Sequence, residues 1–230
     1  MELFVKRERS ELSEEVKSEK PSLIGMIMSP GEQFERIRER PLIWGALAIV
    51  TLLFIIAAYL QTLGIEIPGM EELSAEEAAL VRTFSNVGVV ITALFTPVII
   101  ILISSAIYLL IAKIARSDVK FKQLFSMNTY ITFIGAIGGI LNGILFAVFG
   151  GGEGTYFTSL GSLIEVGGAM QGLLDSLEIF SIWNVILTAI GLEKVARLSK
   201  GVAWTVSIVL FVIGVLFAMF GAAVSGMVGM

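Results

Sequence analysis

Basic residues and long apolar runs alternate along this chain, and the alternation restricts its fold more than any other feature. Five apolar runs divide the sequence, at about residues 42–61, 87–111, 130–149, 177–192 and 202–224. Fifteen of the sixteen Lys and Arg residues fall in every second interval between them. Eight precede the first run: Lys6, Arg7, Arg9, Lys17, Lys20, Arg36, Arg38 and Arg40. Four follow the second (Lys113, Arg116, Lys120, Lys122) and three follow the fourth (Lys194, Arg197, Lys200). The exception, Arg82, stands after the first run among Glu66, Glu71, Glu72, Glu76 and Glu77, and no basic residue follows the third run before the fourth. Short basic loops are retained in the cytoplasm. The pattern therefore predicts five crossings, with the N-terminus cytoplasmic and the C-terminus extracytoplasmic.

Apolar residues make up 56% of the chain and charged residues 16%, a balance shifted from soluble domains toward lipid. A hydrocarbon core of about 30 Å takes roughly 20 apolar residues per helix. Four runs meet that length, and the fourth in order, 177–192, needs its flanks or a tilt. Backbone groups cannot stay unpaired in lipid, so the runs are helices or a closed barrel. They are continuous rather than alternating, which excludes the barrel. The expected fold is all-α and polytopic, with five transmembrane helices. No cleavable signal is visible ahead of the first run, which is expected to act as its own anchor. Trp44 and Trp204 open the first and last spans, where interfacial aromatic residues belong.

Two regions follow: a cytoplasmic segment, 1–40, and a five-span domain, 41–230. Residues 1–20 carry mixed charge and few large apolar groups, so they are expected to be disordered or to form a helix only with a partner. The short patch Leu23–Met28 cannot span and should lie in the inner interface. Ser29, Pro30 and Glu32 then spell a helix start, with Ser29 as N-cap, Pro30 at the first position and Glu32 completing a capping box. In the helix that follows, Phe34 and Ile37 share a face, Arg36 and Arg40 can meet headgroups, and Glu32 can pair with Arg36. This reads as a juxtamembrane surface helix, or alternatively as a docking surface for a cytoplasmic partner.

A second capping box, Ser74 to Glu77, opens a helical pattern that continues to about Ala112. That is longer than a bilayer crossing, so the helix is expected to project outward by a few turns, with a kink at Pro97 and the freed carbonyl groups met by Thr92 or Thr96. The outer loop 150–175 is rich in glycine, and its stretch 156–164 is apolar enough to touch the membrane. It is either a connector with one interfacial helix or a contact site for another membrane protein.

Gly135, Gly139 and Gly143, with Gly138 beside them, form a small-residue stripe on the third span. Gly214, Ala218, Ala222 and Gly226 form another on the fifth. Such stripes let helix backbones approach closely, inside one bundle or across a homo-oligomer or partner interface. Thr51, Thr92, Thr96, Ser104, Ser105, Asn142, Asn184 and Thr188 suit interhelical hydrogen bonds. Asp175 and Glu178, at the outer end of the fourth span, are expected to be solvated.

The chain has no cysteine and no histidine, which removes thiolate chemistry and the commonest general base and metal ligand. Glu76, Glu77 and Arg82 are spaced unlike the paired glutamates of intramembrane prenyl-type proteases, and the glycine cluster lacks a Walker ending. No catalytic site, metal, cofactor or nucleic-acid partner is expected, and the chain is not read as an enzyme.

Three stretches together resemble the Yip-domain family of five-span membrane proteins, in its bacterial branch: SPGEQFERIRERPLIW (29–44), FKQLFSMNTYITFIGAIGGIL (121–141) and IFSIWNVILTAIGLEKVARLSKGVAW (179–204). The resemblance implies five spans, an inward N-terminus and a location in the bacterial cell membrane. It also implies an accessory role beside an ABC-type efflux complex, in contact with its permease and membrane-fusion adaptor, that protects against a toxic peptide. The acidic Asp-Leu-Tyr-Gly-Pro motif of the family's eukaryotic, GTPase-binding members is missing. A small transporter or pore, and a lipid-shaping protein, are the alternative readings.

Because the chain lacks cysteine, single cysteines can map its topology. Thr155→Cys and Gly229→Cys should react with a membrane-impermeant maleimide on intact cells, whereas Ser18→Cys and Ser199→Cys should react only after lysis. Labelling of Gly229→Cys only after lysis would mean an even number of crossings.

Overall fold

The computed structural model describes residues 19–63, 69, 72–150, 156–164 and 166–228. The expectation of disorder over 1–20 lies outside them, apart from Glu19 and Lys20. Among the described residues eight α-helices follow one another: α1 (Gly25–Met28), α2 (Pro30–Glu39), α3 (Trp44–Thr62), α4 (Ala75–Ile114), α5 (Phe121–Phe149), α6 (Gly168–Ser176), α7 (Ile179–Lys194) and α8 (Lys200–Val228). A 3₁₀ turn, Leu160–Ser162, precedes α6. Among the described residues there is no strand, only an isolated bridge between Ser159 and Glu178.

Four helices, α3, α4, α5 and α8, are long and apolar enough to cross a membrane. The predicted fourth span forms α7, whose 16 residues measure about 24 Å at ~1.5 Å per residue, short of the hydrocarbon core. α4 has 40 residues and runs without interruption, which is about 60 Å. Pro97 lies buried inside it without ending it. The Thr96 hydroxyl donates to the Thr92 carbonyl at 2.8 Å, one residue before Ala93, whose carbonyl Pro97 leaves without its N–H partner.

The α4 capping box is present. The Glu77 backbone N–H donates to Ser74 Oγ, and the Ser74 N–H and hydroxyl both donate to Glu77 Oε2 at 3.0 and 2.7 Å. Those bonds hold the Glu77 carboxyl below its ordinary range. The box expected at Ser29 is absent: Pro30 does take the first position, but Ser29 makes no capping bond. The reason is that Ser29 also closes α1, where its N–H is bonded to the Gly25 carbonyl at 2.8 Å. Shared between two helices, its backbone (φ −146°, ψ 63°) is not the extended one in which a capping side chain reaches inward.

The three basic segments converge on one end of the bundle. Gln123 Nε2 donates to the Arg38 carbonyl at 2.6 Å and Ser126 Oγ to the Leu42 carbonyl at 2.8 Å. Ser117 Oγ donates to the Ala196 carbonyl at 2.5 Å, and Lys194 Nζ donates to Glu35 Oε1 at 2.7 Å. That bond holds the Lys194 ammonium above its ordinary value. The main hydrophobic core lies at this end, formed by Met26, Phe34, Ile37, Leu124, Met127, Leu187 and Leu192 among others.

This packing corrects the surface placement of Phe34 and Ile37. Both are fully buried, because Gly191 of α7 has no side chain and Phe34 and Met127 fill the space one would need. Burying a phenylalanine is worth about 1.5–3 kcal/mol, more than a helix of this length gains lying on headgroups through its two arginines. Arg40 is exposed. Arg36 is largely covered and pairs with Glu19 at 2.6 Å rather than with Glu32. Ile24, Ile27 and Met28 remain exposed at the same end, as a patch in the interface requires.

The glycine stripe of α5 faces inward. A Cβ at Gly143 would lie 2.9 Å from Leu60 Cβ and 3.0 Å from the Ala57 carbonyl oxygen, and one at Gly139 would lie 3.3 Å from Ala57 Cβ. At Gly138 the space is taken by the Phe180 ring. On α8, Gly172 of α6 sits against the backbone of Ala218 and Met219, and Gly226 approaches Gly168, while Gly214 borders open space. Ala222 is half-buried. Gly143→Val should therefore destabilise the protein by about 1–3 kcal/mol through forced separation of α3 and α5. Gly214→Ala should leave thermal unfolding in detergent unchanged or slightly delayed. Equal losses at the two positions would argue against close α3–α5 packing.

Candidate functional site

At the end opposite the basic loops the bundle is polar inside. Asn142, about two turns before the end of α5, is buried, and both donors and the oxygen of its amide are bonded. Nδ2 donates to the Gly138 carbonyl at 3.0 Å and to Thr158 Oγ1 at 2.8 Å, while Oδ1 accepts from the Thr158 backbone N–H at 3.1 Å. Thr158 Oγ1 in turn donates to Glu178 Oε1 at 2.6 Å. Glu178 is the N-cap of α7, and its Oε2 accepts from the Ser181 N–H at 2.7 Å. The Asn142–Thr158–Glu178 chain stitches the outer loop to α5 and α7, with Leu160 N–H bonded to the Leu177 carbonyl beside it.

The solvation expected for Glu178 is thus overturned: it is 7% exposed. The loop crosses the start of α7 and brings the Thr158 hydroxyl to one carboxylate oxygen, while the Ser181 N–H of α7 itself meets the other. Asp175 lies in the same cover, where its carboxylate accepts from Gln171 Nε2 at 3.0 Å and packs against Gly161. The outer loop, expected to be a connector with one interfacial helix, contains the 3₁₀ turn and α6, and α6 packs along α8.

Below Glu178 the helices part. A partly open cavity of about 640 Å³ lies between α3, α4, α5 and α7, a size that fits small-molecule sites. Its walls are mainly apolar, with Phe54, Ala57 and Phe180 among them. Gln61, Thr92, Thr96, Asn142, Glu178 and Asn184 supply the polar groups. The polar residues scattered over three predicted spans are thereby gathered at one place. Asn184 Oδ1 is buried with no hydrogen-bond partner. A narrower space on the other face of α7 shares Ser181 and Asn184 and adds Tyr108, Thr188 and Ser207.

Not every predicted polar residue joins the site. Ser104 bonds within its own helix. Ser105 accepts from Asn128 Nδ2 at 2.9 Å, tying α4 to α5 toward the basic end. Sequence reasoning missed Gln61 and Tyr156, which reach the cavity wall, and it missed Thr158, which carries the hydrogen-bond chain. A threonine in a glycine-rich loop gives no sign of which buried carboxyl it will meet.

The helix order, the convergent basic end and the short α7 can be set beside known proteins. The Yip1 domain family matches residues 24–221. The chain belongs to the Yip1 domain family. It is 36% identical over 218 residues to the membrane protein YknW of Bacillus subtilis (strain 168), covering 92% of this chain and 94% of that one. No solved structure matches it. The family match starts at Ile24, ahead of the boundary drawn at residue 40. The α1–α2 segment that packs beneath the bundle is therefore part of the Yip1 domain as matched.

Removing one member of the polar chain should loosen the whole cover. Asn142→Leu strands the Thr158 N–H and should cost about 1–3 kcal/mol. Hydrogen exchange over residues 156–164 should speed up, while α2 at the far end stays protected. Unchanged exchange in the loop would show that its position rests on α6 rather than on Asn142.

Proposed function

We propose that this Yip1-domain protein is a non-enzymatic scaffold of the bacterial cell membrane that assists assembly or activity of an ABC-type efflux complex. Its partners in this reading are the complex's permease within the bilayer and its membrane-fusion adaptor outside, and the outcome for the cell is protection against a toxic peptide. α7 serves as the fourth of five crossings, which gives a cytoplasmic N-terminus and an extracytoplasmic C-terminus. The convergence of the basic segments on one end supports that orientation.

The observation that carries the reading is the start of α4. From Ala75 to Gly88 every residue but Ala78 is exposed. Leu80, Phe84, Val87 and Ile91 fall at i, i+4, i+7 and i+11, the spacing of a single apolar face prepared for another helix. Leu80 is 55% and Phe84 75% exposed. With residues 87–111 in the bilayer, Leu80 and Phe84 stand beyond it, where an uncovered apolar stripe marks an interaction site. The Ser74–Glu77 box keeps these free-standing turns helical, ready for an adaptor.

Affinity purification from native membranes in mild detergent should recover permease and adaptor in near-stoichiometric amounts. The Leu80→Glu/Phe84→Glu variant should lose the adaptor and unfold at an unchanged temperature, since neither side chain touches the core. If adaptor recovery were equal for the variant, the α4 stripe would not be the contact; a chain that came down alone would sink the scaffold reading. The polar cavity favours one other reading, a small transporter, and solute flux in liposomes by the purified protein would select it.

A further inference from the structure

The cavity contains an acidic group that no basic side chain among the described residues balances. Glu178 is buried at its rim, and no ion pair among the described residues includes it. There is no Lys or Arg between Lys122 and Lys194 or after Lys200, and only Arg82 between Arg40 and Lys113. Arg82 is exposed and does not line the cavity. The hydrogen bonds from Thr158 and Ser181 use one acceptor site on each Glu178 oxygen, which leaves capacity on both. Two turns along the same helix, Asn184 contributes an amide oxygen with no partner. The wall therefore offers unused acceptors where the surrounding lining is apolar.

Buried acceptors are costly unless a donor meets them, and a buried charge more so. An alcohol or an amide would supply donors but no charge, and an anion would be repelled. A quaternary ammonium would supply charge but no donor. We propose that this cavity binds an amphiphile with a protonated primary amine. The ammonium is held by Glu178, with Thr158 and Asn142 fixing the carboxyl, and the apolar body lies against Phe54, Ala57 and Phe180. Asn184 accepts from a second donor on the ligand where it has one. The chemistry is shared by a lipid with an ethanolamine headgroup and by a free long-chain amine. The site is independent of the α4 stripe and of the scaffold reading.

A dodecylamine carrying a terminal diazirine tests the proposal in phosphatidylcholine nanodiscs, with labelled peptides located by mass spectrometry. Crosslinks should fall on the cavity-lining parts of α3, α4 and α5. Excess dodecylamine should compete, whereas dodecanol and dodecyltrimethylammonium should not. Glu178→Gln keeps an acceptor for the Ser181 cap but loses the charge, and should reduce labelling about tenfold or more, as for other severed buried charge pairs. Thr96→Phe fills the cavity without touching the cap and should reduce it similarly; it keeps the test valid if Glu178→Gln fails to fold. Native mass spectrometry of protein from native membranes separates the sources. A retained ethanolamine lipid that is absent from Thr96→Phe identifies the headgroup; no retained lipid with specific dodecylamine labelling identifies a free amine. Equal competition by dodecanol, or undiminished labelling in a folded Glu178→Gln or Thr96→Phe protein, would overturn the proposal.

Discussion

The approach of α5 to α3 through Gly139 and Gly143 sets the geometry on which the rest of the bundle depends. It is the most extensive helix contact among the described residues, and at its tightest there is no room for a methyl group. In lipid there is little hydrophobic gain in bringing two apolar helices together, so close van der Waals contact has to hold them. A neighbouring face of α5, about 100° round the helix, presents Gly138 to Phe180 of α7. With α3 and α7 docked on one helix at glycine positions, the outer cavity is what remains where α4 closes the ring.

The two ends of this bundle are held by different means. At the basic end, α1 and α2 act as a plug: Phe34 enters the gap over Gly191, Tyr130 donates to the Pro21 carbonyl at 3.1 Å, and Gln33 Oε1 accepts from the Ser22 N–H at 2.8 Å. Apolar burial dominates, and the polar bonds fix register. At the other end the loop leaves Leu160, Leu163 and Ile164 exposed, and the hydrogen bonds among Asn142, Thr158 and Glu178 hold it instead. A network of that kind is specific but gives way as a unit when one member is lost.

What the sequence made legible follows from which forces are local. Apolar run length and the positions of Lys and Arg depend on the bilayer and not on tertiary contacts, and they gave the helices α3, α4, α5 and α8 and the grouping of the basic loops. The Ser74 capping box lies within four residues and was equally readable. Ser29 failed because the same residue had to end α1, a conflict visible only once both helices are placed. Phe34 and Ile37 were read on a surface because a two-residue apolar face looks the same against headgroups as against Gly191. Glu178 was read as solvated because its position at a helix end is local, whereas its burial depends on Thr158, twenty residues earlier.

Long-range polar contacts of this type separate the cavity from ordinary bundle packing. Serines and threonines elsewhere in the spans, such as Ser104, Thr132 and Ser207, return their hydroxyls to a carbonyl four residues earlier. That habit satisfies a hydroxyl without any neighbour and carries no functional information. Asn142 also returns one bond to the Gly138 carbonyl and Glu178 caps its own helix, but both reach further, to Thr158 of the loop. Asn184 leaves its oxygen without a donor among the described residues. Asn142 and Glu178 hold the loop as well as lining the cavity. The Asn184 oxygen serves no contact in the bundle, and its place on the cavity wall is the part of the pattern that helix packing does not explain.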